Sequence, residues 1–419
     1  MSDIETCPVH QINPMAPQNL VSPWIMNKRL RDEAPVFQDP NSGIFFISRY
    51  ADVVAMARDH KTYSSVMLGT NTRQVASDDP EVLEITKTGY PNVPTMLTQD
   101  PPLQRRYRKF VDGAFSPGNL KKLEPYIQQV SNDLIDRFSD TGRCEFLGAF
   151  GVPLPLTIIA SQLGVPLEDL PKLRRWTEAF IGNLSQQLDL PGIKQAARDI
   201  VEFQHYFVER MEERRAEPTD DILSKVVNGS IDGEQPLDNA ECLSMLSQIL
   251  VAGNETTAGS LTEGIWLLIN NPEQYALIQK DTSPEMISNL VEEVLRYSSP
   301  SSNMFRRTTK TVTLHGVTIP ENSICFARFA SANQDEAQFE DAARFDITRP
   351  NLRDHVAFGK GVHHCLGAAL ARREMKGGYA VLLSRLANFR LDPANPGPEF
   401  APNALLHGLT SLHVEFDVL

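Results

Sequence analysis

Over most of this chain apolar positions recur at spacings of three and four, and two-residue alternation is confined to a few short runs. Segment 125–138 is amphipathic at the helical period. So are 167–184, with Pro171 in its opening turns, and 193–216, which is charged along one face. The longest such run is 238–270, with Asp238 placed to cap its start and Pro272 to stop it. Its roughly 33 residues predict a helix about 50 Å long, enough to cross an entire domain. Ser283, Pro284 and Glu285 spell another helix start, and 368–386 reads as one more helix. Strand signals are short: 43–48, 311–319 and 323–330, with 389–391 and 412–418 closing the chain as a hairpin-like piece. The expected fold is mainly α with small β-sheets. Residues 1–20 are expected to be a loose N-terminal arm.

Composition narrows the class of protein. The chain has 419 residues and is 41% hydrophobic, enough for a large core. Its net charge of −13 lacks the basic footprint that nucleic-acid binding needs. The five cysteines are widely spaced and odd in number, so they spell neither a disulfide framework nor an iron–sulfur ligand set. The N-terminus is polar and proline-rich, unlike a signal peptide. No apolar run reaches the roughly 18 residues of a membrane span. A cytoplasmic protein without a membrane anchor is therefore expected.

Candidate chemistry concentrates in Phe358-Gly359-Lys360-Gly361-Val362-His363-His364-Cys365-Leu366-Gly367. A glycine-hinged loop ends in a cysteine just before a helix. The unpaired N–H groups and positive dipole end of that helix favour anionic sulfur. Cysteine thiolate is one of the few axial haem ligands, and it favours O–O cleavage. An inert buried thiol is the plain alternative. A zinc site from His363, His364 and Cys365 would need a second ligand cluster, and the sequence has none.

This run resembles the haem-binding loop of the cytochrome P450 family, with every fixed position filled. The resemblance extends from about residue 44 to the C-terminus. It implies a single domain (21–419) of that family's prism-shaped fold, with the long helix over the haem. It further implies haem b (iron protoporphyrin IX) ligated through Cys365, with Phe358, Gly359 and Gly367 shaping the loop. The absence of an N-terminal anchor suits a soluble bacterial-type member.

Three further motifs agree with the resemblance. Glu293 and Arg296 form an E-x-x-R pair on one helix face, 72 positions before Cys365. In the family this pair has a structural role and joins a downstream arginine, here Arg344 or Arg349. Ala252-Gly253-Asn254-Glu255-Thr256-Thr257, inside the long helix, resembles the oxygen-activation signature. Gly253 would clear space for dioxygen, Glu255 would relay protons, and Thr256 would bend the helix and donate to bound oxygen. Haem propionates need cationic or N–H partners. Gln104 and Arg108, one helical turn apart, fall where the family places them, as do Arg306 and His363. The family often has Glu-His where this chain has Leu103-Gln104.

Carried over segment by segment, the family's substrate wall falls at about 67–96, 180–184, 249–253, 299–305 and 405–410. Phe180, Ile249, Ala252, Met304, Phe305 and Leu406 are its candidates, with Asn303 and His407 as polar anchors or structural groups. Such a wall suits a lipophilic small molecule. The chain carries no flavin, dinucleotide or iron–sulfur fingerprint, so electrons for the implied O2 chemistry are expected from a separate donor, a ferredoxin with its reductase. Arg105, Arg106, Arg108, Lys109, Lys121, Lys122, Lys360, Arg372, Arg373 and Lys376 could form its docking face. The implied activity is a monooxygenase that hydroxylates or dealkylates its substrate. A peroxygenase or oxidative-coupling enzyme and a non-catalytic haem sensor are the rival readings.

Overall fold

The structure, a computed structural model, describes residues 4, 7–67, 75, 77–185, 188–231, 233 and 235–419. Part of the expected wall segment 67–96 (68–74 and 76) lies outside the described residues, as do 1–3 and 5–6 of the expected arm. The chain is mainly helical with small sheets. It divides into two compact units: Met1–Ser65, Glu124–Leu154 and Thr256–Leu419 in one, Val66–Leu123 and Pro155–Glu255 in the other.

The first unit is organised around a five-stranded sheet. Its strand order is Val36–Gln38, Phe45–Ile47, Ile324–Ala327, Met304–Thr308 and Tyr63–Ser64. Only the pair Phe45–Ile47 with Ile324–Ala327 runs parallel. Alternation along a strand sends successive side chains to opposite faces. Phe45 and Ile47 therefore pack with Val53, Met56, Cys325 and Phe329, while Phe46 packs on the other face with Met26, Leu30 and Phe326. Both faces are covered. Cys7 and Ile12 are buried in the second of these clusters, so the described part of 1–20 is tied to the sheet and carries the short helix Pro17–Val21.

The expected strand at 311–319 is a hairpin, Val312–Leu314 with Val317–Ile319. His315 and Gly316 both have positive φ (49° and 78°), the requirement of the two-residue turn that matches strand twist. The expected strand at 323–330 stops at Ala327, and Phe329–Ala332 is helical. Leu386–Leu391 and His413–Val418 pair antiparallel as expected, with Arg143–Glu145 as a third strand.

Helix starts follow the capping residues. Ser283 accepts from Met286 N (3.3 Å) at the head of Pro284–Ser298. Asp238 and Glu241 form a reciprocal capping box, Glu241 N to Asp238 Oδ1 at 2.8 Å and Asp238 N to Glu241 Oε2 at 3.0 Å. That box starts the central helix, Asn239–Asn270, 32 residues long. Residues 239–255 of it count with the second unit and 256–270 with the first.

The second unit is helical: Pro80–Lys87, Leu103–Val111, Leu170–Ser185, Leu190–Ala216 and Ile222–Asn228, besides its share of the central helix. Trp176 is fully buried against Phe203, Tyr206 and Phe207, with ring centroids 5.1–6.3 Å apart. Among the described residues, no helix is long and apolar enough to cross a membrane.

Candidate active site

In the first unit the cysteine loop turns on two glycines, one of which also makes a close backbone approach. Gly359 and Gly361 both have positive φ (65° and 73°). A Cβ on Gly361 would collide with the carbonyl of Ala57 and come within 3.0 Å of Arg58 Cα, so only glycine lets the loop lie against helix Tyr50–Arg58. The loop then closes on itself. Gly359 N donates to Val356 O (2.8 Å), and Cys365 N donates to Phe358 O (2.9 Å). Gly367 caps the 18-residue helix Ala368–Arg385. Cys365 thus stands, solvent-exposed, three residues before a long helix begins. None of the five cysteines is in a disulfide. Among the described residues no cluster of three or more His, Cys, Asp or Glu could hold a metal ion.

A buried ion-pair group stands behind this loop. Glu293 and Arg296 meet in a two-pronged bridge (Oε2 to Nε and Oε1 to Nη2, both 2.7 Å), and both side chains are wholly buried. Of the two candidate partners, Arg349 supplies the third side chain, its Nε 3.1 Å from Glu293 Oε1. Arg344 contributes only its carbonyl, which accepts from Arg296 and Arg349. Arg296 also donates to Asn333 O and Ala342 O, and Asp346 N donates to Glu293. The group ties helix Pro284–Ser298 to segment 333–349.

Sequence reading missed a second group beside it. Glu292, next to Glu293, is buried and takes Arg372 Nε and Nη2 on its two oxygens (2.7 and 2.8 Å). Burial opposes its ionisation, but hydrogen bonds from His355 and Arg372 outweigh that and hold its pKa down to about 2. His355 Nε2 lies 3.1 Å from Glu292, while its Nδ1 accepts from Ala357 N. A nitrogen that accepts carries no proton, so His355 is the neutral Nε2–H tautomer. Burial agrees, lowering its pKa against the pull of Glu292. The Arg372 guanidinium lies 4.4 Å from the centroid of the Phe358 ring, on the cysteine loop itself. The only hint of this in the sequence was Arg372, which reads there as one surface charge among many. In the structure it is a brace and not a free docking charge. Arg373 pairs with Glu124 (3.1 Å), and in the second unit Arg106 pairs with Glu241 (2.9 Å).

On the central helix, Thr256 opens the first unit's share. Its carbonyl accepts Ser260 Oγ (2.8 Å), and Ala258 O accepts Thr262 Oγ1 (2.9 Å). Hydroxyls on this part of the helix thus bond back to carbonyls one turn earlier. In the second unit solvent reaches Glu255 at its surface, yet protein encloses it closely. That enclosure, and then the charge of Glu178, push its carboxyl above the ordinary range. Ala252 is exposed, and the space where Gly253 would carry a Cβ is open.

The remaining candidates are placed as follows. Gln104 is buried and Arg108 half-buried on helix Leu103–Val111, with Arg108 Nε 3.3 Å from Asp112. Arg306 is buried on strand Met304–Thr308, its Nη1 donating to Phe305 O. Phe180 packs edge-on against Phe203 (5.1 Å), and Ile249 is buried. Met304 and Phe305 pack on opposite faces of their sheet, so the strand does not present both to one wall. Leu406 is half-buried and bridges Ser301. Asn303 Nδ2 is taken by Ala404 O (2.6 Å). His407 is buried and faces Glu263.

An exposed sulfur at the end of a glycine-turned loop, held before a long helix, is a donor set for one axial thiolate and suits a haem iron. Comparison with known proteins agrees. The sequence profile of the Cytochrome P450 family matches residues 180–409. "Cytochrome P450 130" of Mycobacterium tuberculosis is 34% identical over 393 residues, covering 91% of this chain and 92% of that protein. "Steroid C26-monooxygenase" of the same species is 31% identical, covering 92% and 98%. The solved structure of cytochrome P450 CYP109Q5 from Chondromyces apiculatus superposes with a TM-score of 0.84 at 32% identity, covering 98% of this chain and 100% of that one. The chain belongs to the cytochrome P450 family, in its bacterial branch. Its enzymatic class is that of a cytochrome P450 monooxygenase, which works with a haem iron, O2 and a redox partner.

Proposed function

We propose that this enzyme inserts one oxygen atom from O2 into a lipophilic small molecule, by hydroxylation or oxidative dealkylation, with electrons from a separate ferredoxin and its reductase. Residues 21–419 act as one catalytic domain on haem b in the cytoplasm. The cysteine loop carries this reading. Cys365 would hold the iron, and Gln104, Arg108, Arg306 and His363 would neutralise the propionates. Bound through a thiolate, the haem supplies the dioxygen and electron-transfer chemistry. The chain supplies the protons. Glu255, whose carboxyl burial and the charge of Glu178 push above the ordinary range, holds protons more readily than a free carboxylate and would pass one toward Thr256, whose hydroxyl hands it on. Presence of this acid–alcohol pair favours the O2-dependent route over a peroxide-driven one.

The test has two arms. Purified protein is screened with lipophilic compounds for the low- to high-spin shift, and Cys365→Ser is compared with wild type in the reduced CO spectrum. The expected result is a spin shift with some compounds and loss of the red-shifted Soret band in Cys365→Ser. An unchanged band in that variant overturns the ligand assignment. Turnover with peroxide but not with ferredoxin would establish the peroxygenase reading instead.

A further inference from the structure

Glu263 and His407 are buried titratable groups that the proposed reaction does not use. Both lie in the first unit and are almost wholly buried, at 1% and 3% exposed. Glu263 is on the central helix, seven residues after Thr256. His407 is in the turn that precedes strand Leu409–Ser411. Glu263 Oε2 and His407 Nδ1 stand 3.9 Å apart, and neither atom has a hydrogen-bond partner.

The tautomer can be deduced. His407 Nε2 lies 3.3 Å from Val21 O. A carbonyl only accepts, so Nε2 carries the proton, and in a neutral ring Nδ1 is a bare lone pair. A carboxylate facing that lone pair would be repelled, whereas a carboxylic acid would donate to it. An ion pair would need both charges buried without further partners, and that costs more than it returns. Burial acts on both groups in the required sense, pushing Glu263 up to about 8 and His407 down to about 4. The other titratable neighbours are Tyr297 and Tyr379, both raised by burial and further by Glu263; Tyr379 donates to Ser260 O and Leu261 O. Neither Glu263 nor His407 has any other ion-pair partner among the described residues. The imidazole is held flat, stacked on Phe400 (4.4 Å, 24°) with Trp24 edge-on at 5.3 Å.

What His407 holds is a strap of two segments. His407 N donates to Pro300 O (2.9 Å), Ser302 N to Leu405 O (2.8 Å), and Asn303 Nδ2 to Ala404 O (2.6 Å). Ser301 bridges Leu406. Residues 300–303 and 404–407 therefore move together.

We propose that Glu263 and His407 close as a neutral acid–imidazole hydrogen bond that latches the 403–407 turn to the central helix and so sets where Leu406 stands in the substrate wall. The gap of 3.9 Å is a side-chain rotation away from that bond. Both are positioning residues. The latch itself rests on geometry alone, and its effect on ligands rests on reading Leu406 as a wall residue.

The experiment uses the holoenzyme, labelled with 15N-histidine. The expected NMR signature of His407, assigned by its loss in a His407 variant, is a bare Nδ1 and protonated Nε2 from about pH 5.5 to about 8.5. Glu263→Gln keeps a neutral donor. It should retain this signature and leave affinities for spin-shifting compounds within about twofold of wild type. Glu263→Leu removes the donor and should shift those affinities by about fivefold, with the CO spectrum intact. If Glu263→Leu does not accumulate, His407→Gln and His407→Phe make the same comparison, because the glutamine amide can accept from Glu263 and donate to Val21. A doubly protonated His407 at neutral pH, or Glu263→Gln as damaging as Glu263→Leu, overturns the latch. Affinities insensitive to Glu263→Leu overturn its role at the wall. If no compound shifts the wild-type spectrum, the wall reading fails by itself and the NMR arm still decides the latch.

Discussion

The guanidinium of Arg372 lies over the ring of Phe358, and its two nitrogens are anchored by Glu292. The same Phe358 offers its carbonyl to the N–H of Cys365. A charged clamp between helices Pro284–Ser298 and Ala368–Arg385 is thereby connected through a single residue to the sulfur-bearing backbone. Replacing Arg372 by Met keeps bulk but leaves Glu292 buried with only a neutral histidine. The expected loss is about 2–4 kcal/mol in chemical denaturation. A larger share of the reduced CO complex should also lack thiolate character. Arg372→Lys should recover part of the stability but less of the spectrum, because a point charge neither forks nor stacks.

The Glu293–Arg296–Arg349 group should behave as scaffold. Glu293→Gln leaves two buried guanidinium groups without a counter-charge, and the expected cost is about 3–5 kcal/mol. Arg349→Met should cost less, since Arg296 still satisfies both carboxylate oxygens. Denaturation midpoints and haem retained after gel filtration measure the two effects. A stable, fully loaded Glu293→Gln variant with low activity would move this residue into the chemistry.

Stability should fall as pH rises from about 6.5 to about 8. Burial raises Glu263 and Glu374 from 4.5 to about 8, so across that window the folded chain binds more protons than the unfolded one. Stability then declines with pH, being complete below the unfolded value and lost through the folded one. Glu292 works in the opposite sense. Its contribution is present above 4.5 and lost as pH falls through about 2. His407, lowered from 6.5 to about 4, opposes the decline below its unfolded value, so the downward slope of urea midpoints should show between about pH 6.5 and about pH 8. The slope should flatten in the double variant Glu263→Gln, Glu374→Gln. An equal slope in that variant would place the protons elsewhere.

Proton delivery should separate from substrate binding. Thr256→Ala and Glu255→Gln should bind spin-shifting compounds normally yet turn a larger share of consumed NAD(P)H into peroxide, with product falling about tenfold or more. Tightly coupled turnover in Thr256→Ala would remove the hydroxyl from the relay.

Helix caps and the cysteine loop were legible in the sequence because they are local. Asp238 and Ser283 act within three or four residues of their own position, and the glycines of 359–367 must bend the backbone wherever the loop lies. Register across the sheet was not legible in the same way. The run 311–319 read as one strand because the left-handed conformations at His315 and Gly316 follow from pairing with a partner, not from apolar spacing.

Residue order alone determined the fold class, the cysteine loop on which the family resemblance rests, and which helix carries Glu255 and Thr256. Tertiary structure alone decided the charge partners. It chose Arg349 over Arg344, turned Arg372 from a surface charge into a clamp, and set Glu263 against His407 across 144 positions of chain. The physical reason is range. A cap or a glycine turn is decided by neighbours along the backbone, whereas a buried charge takes its protonation and its role from whatever the fold brings within a few ångströms.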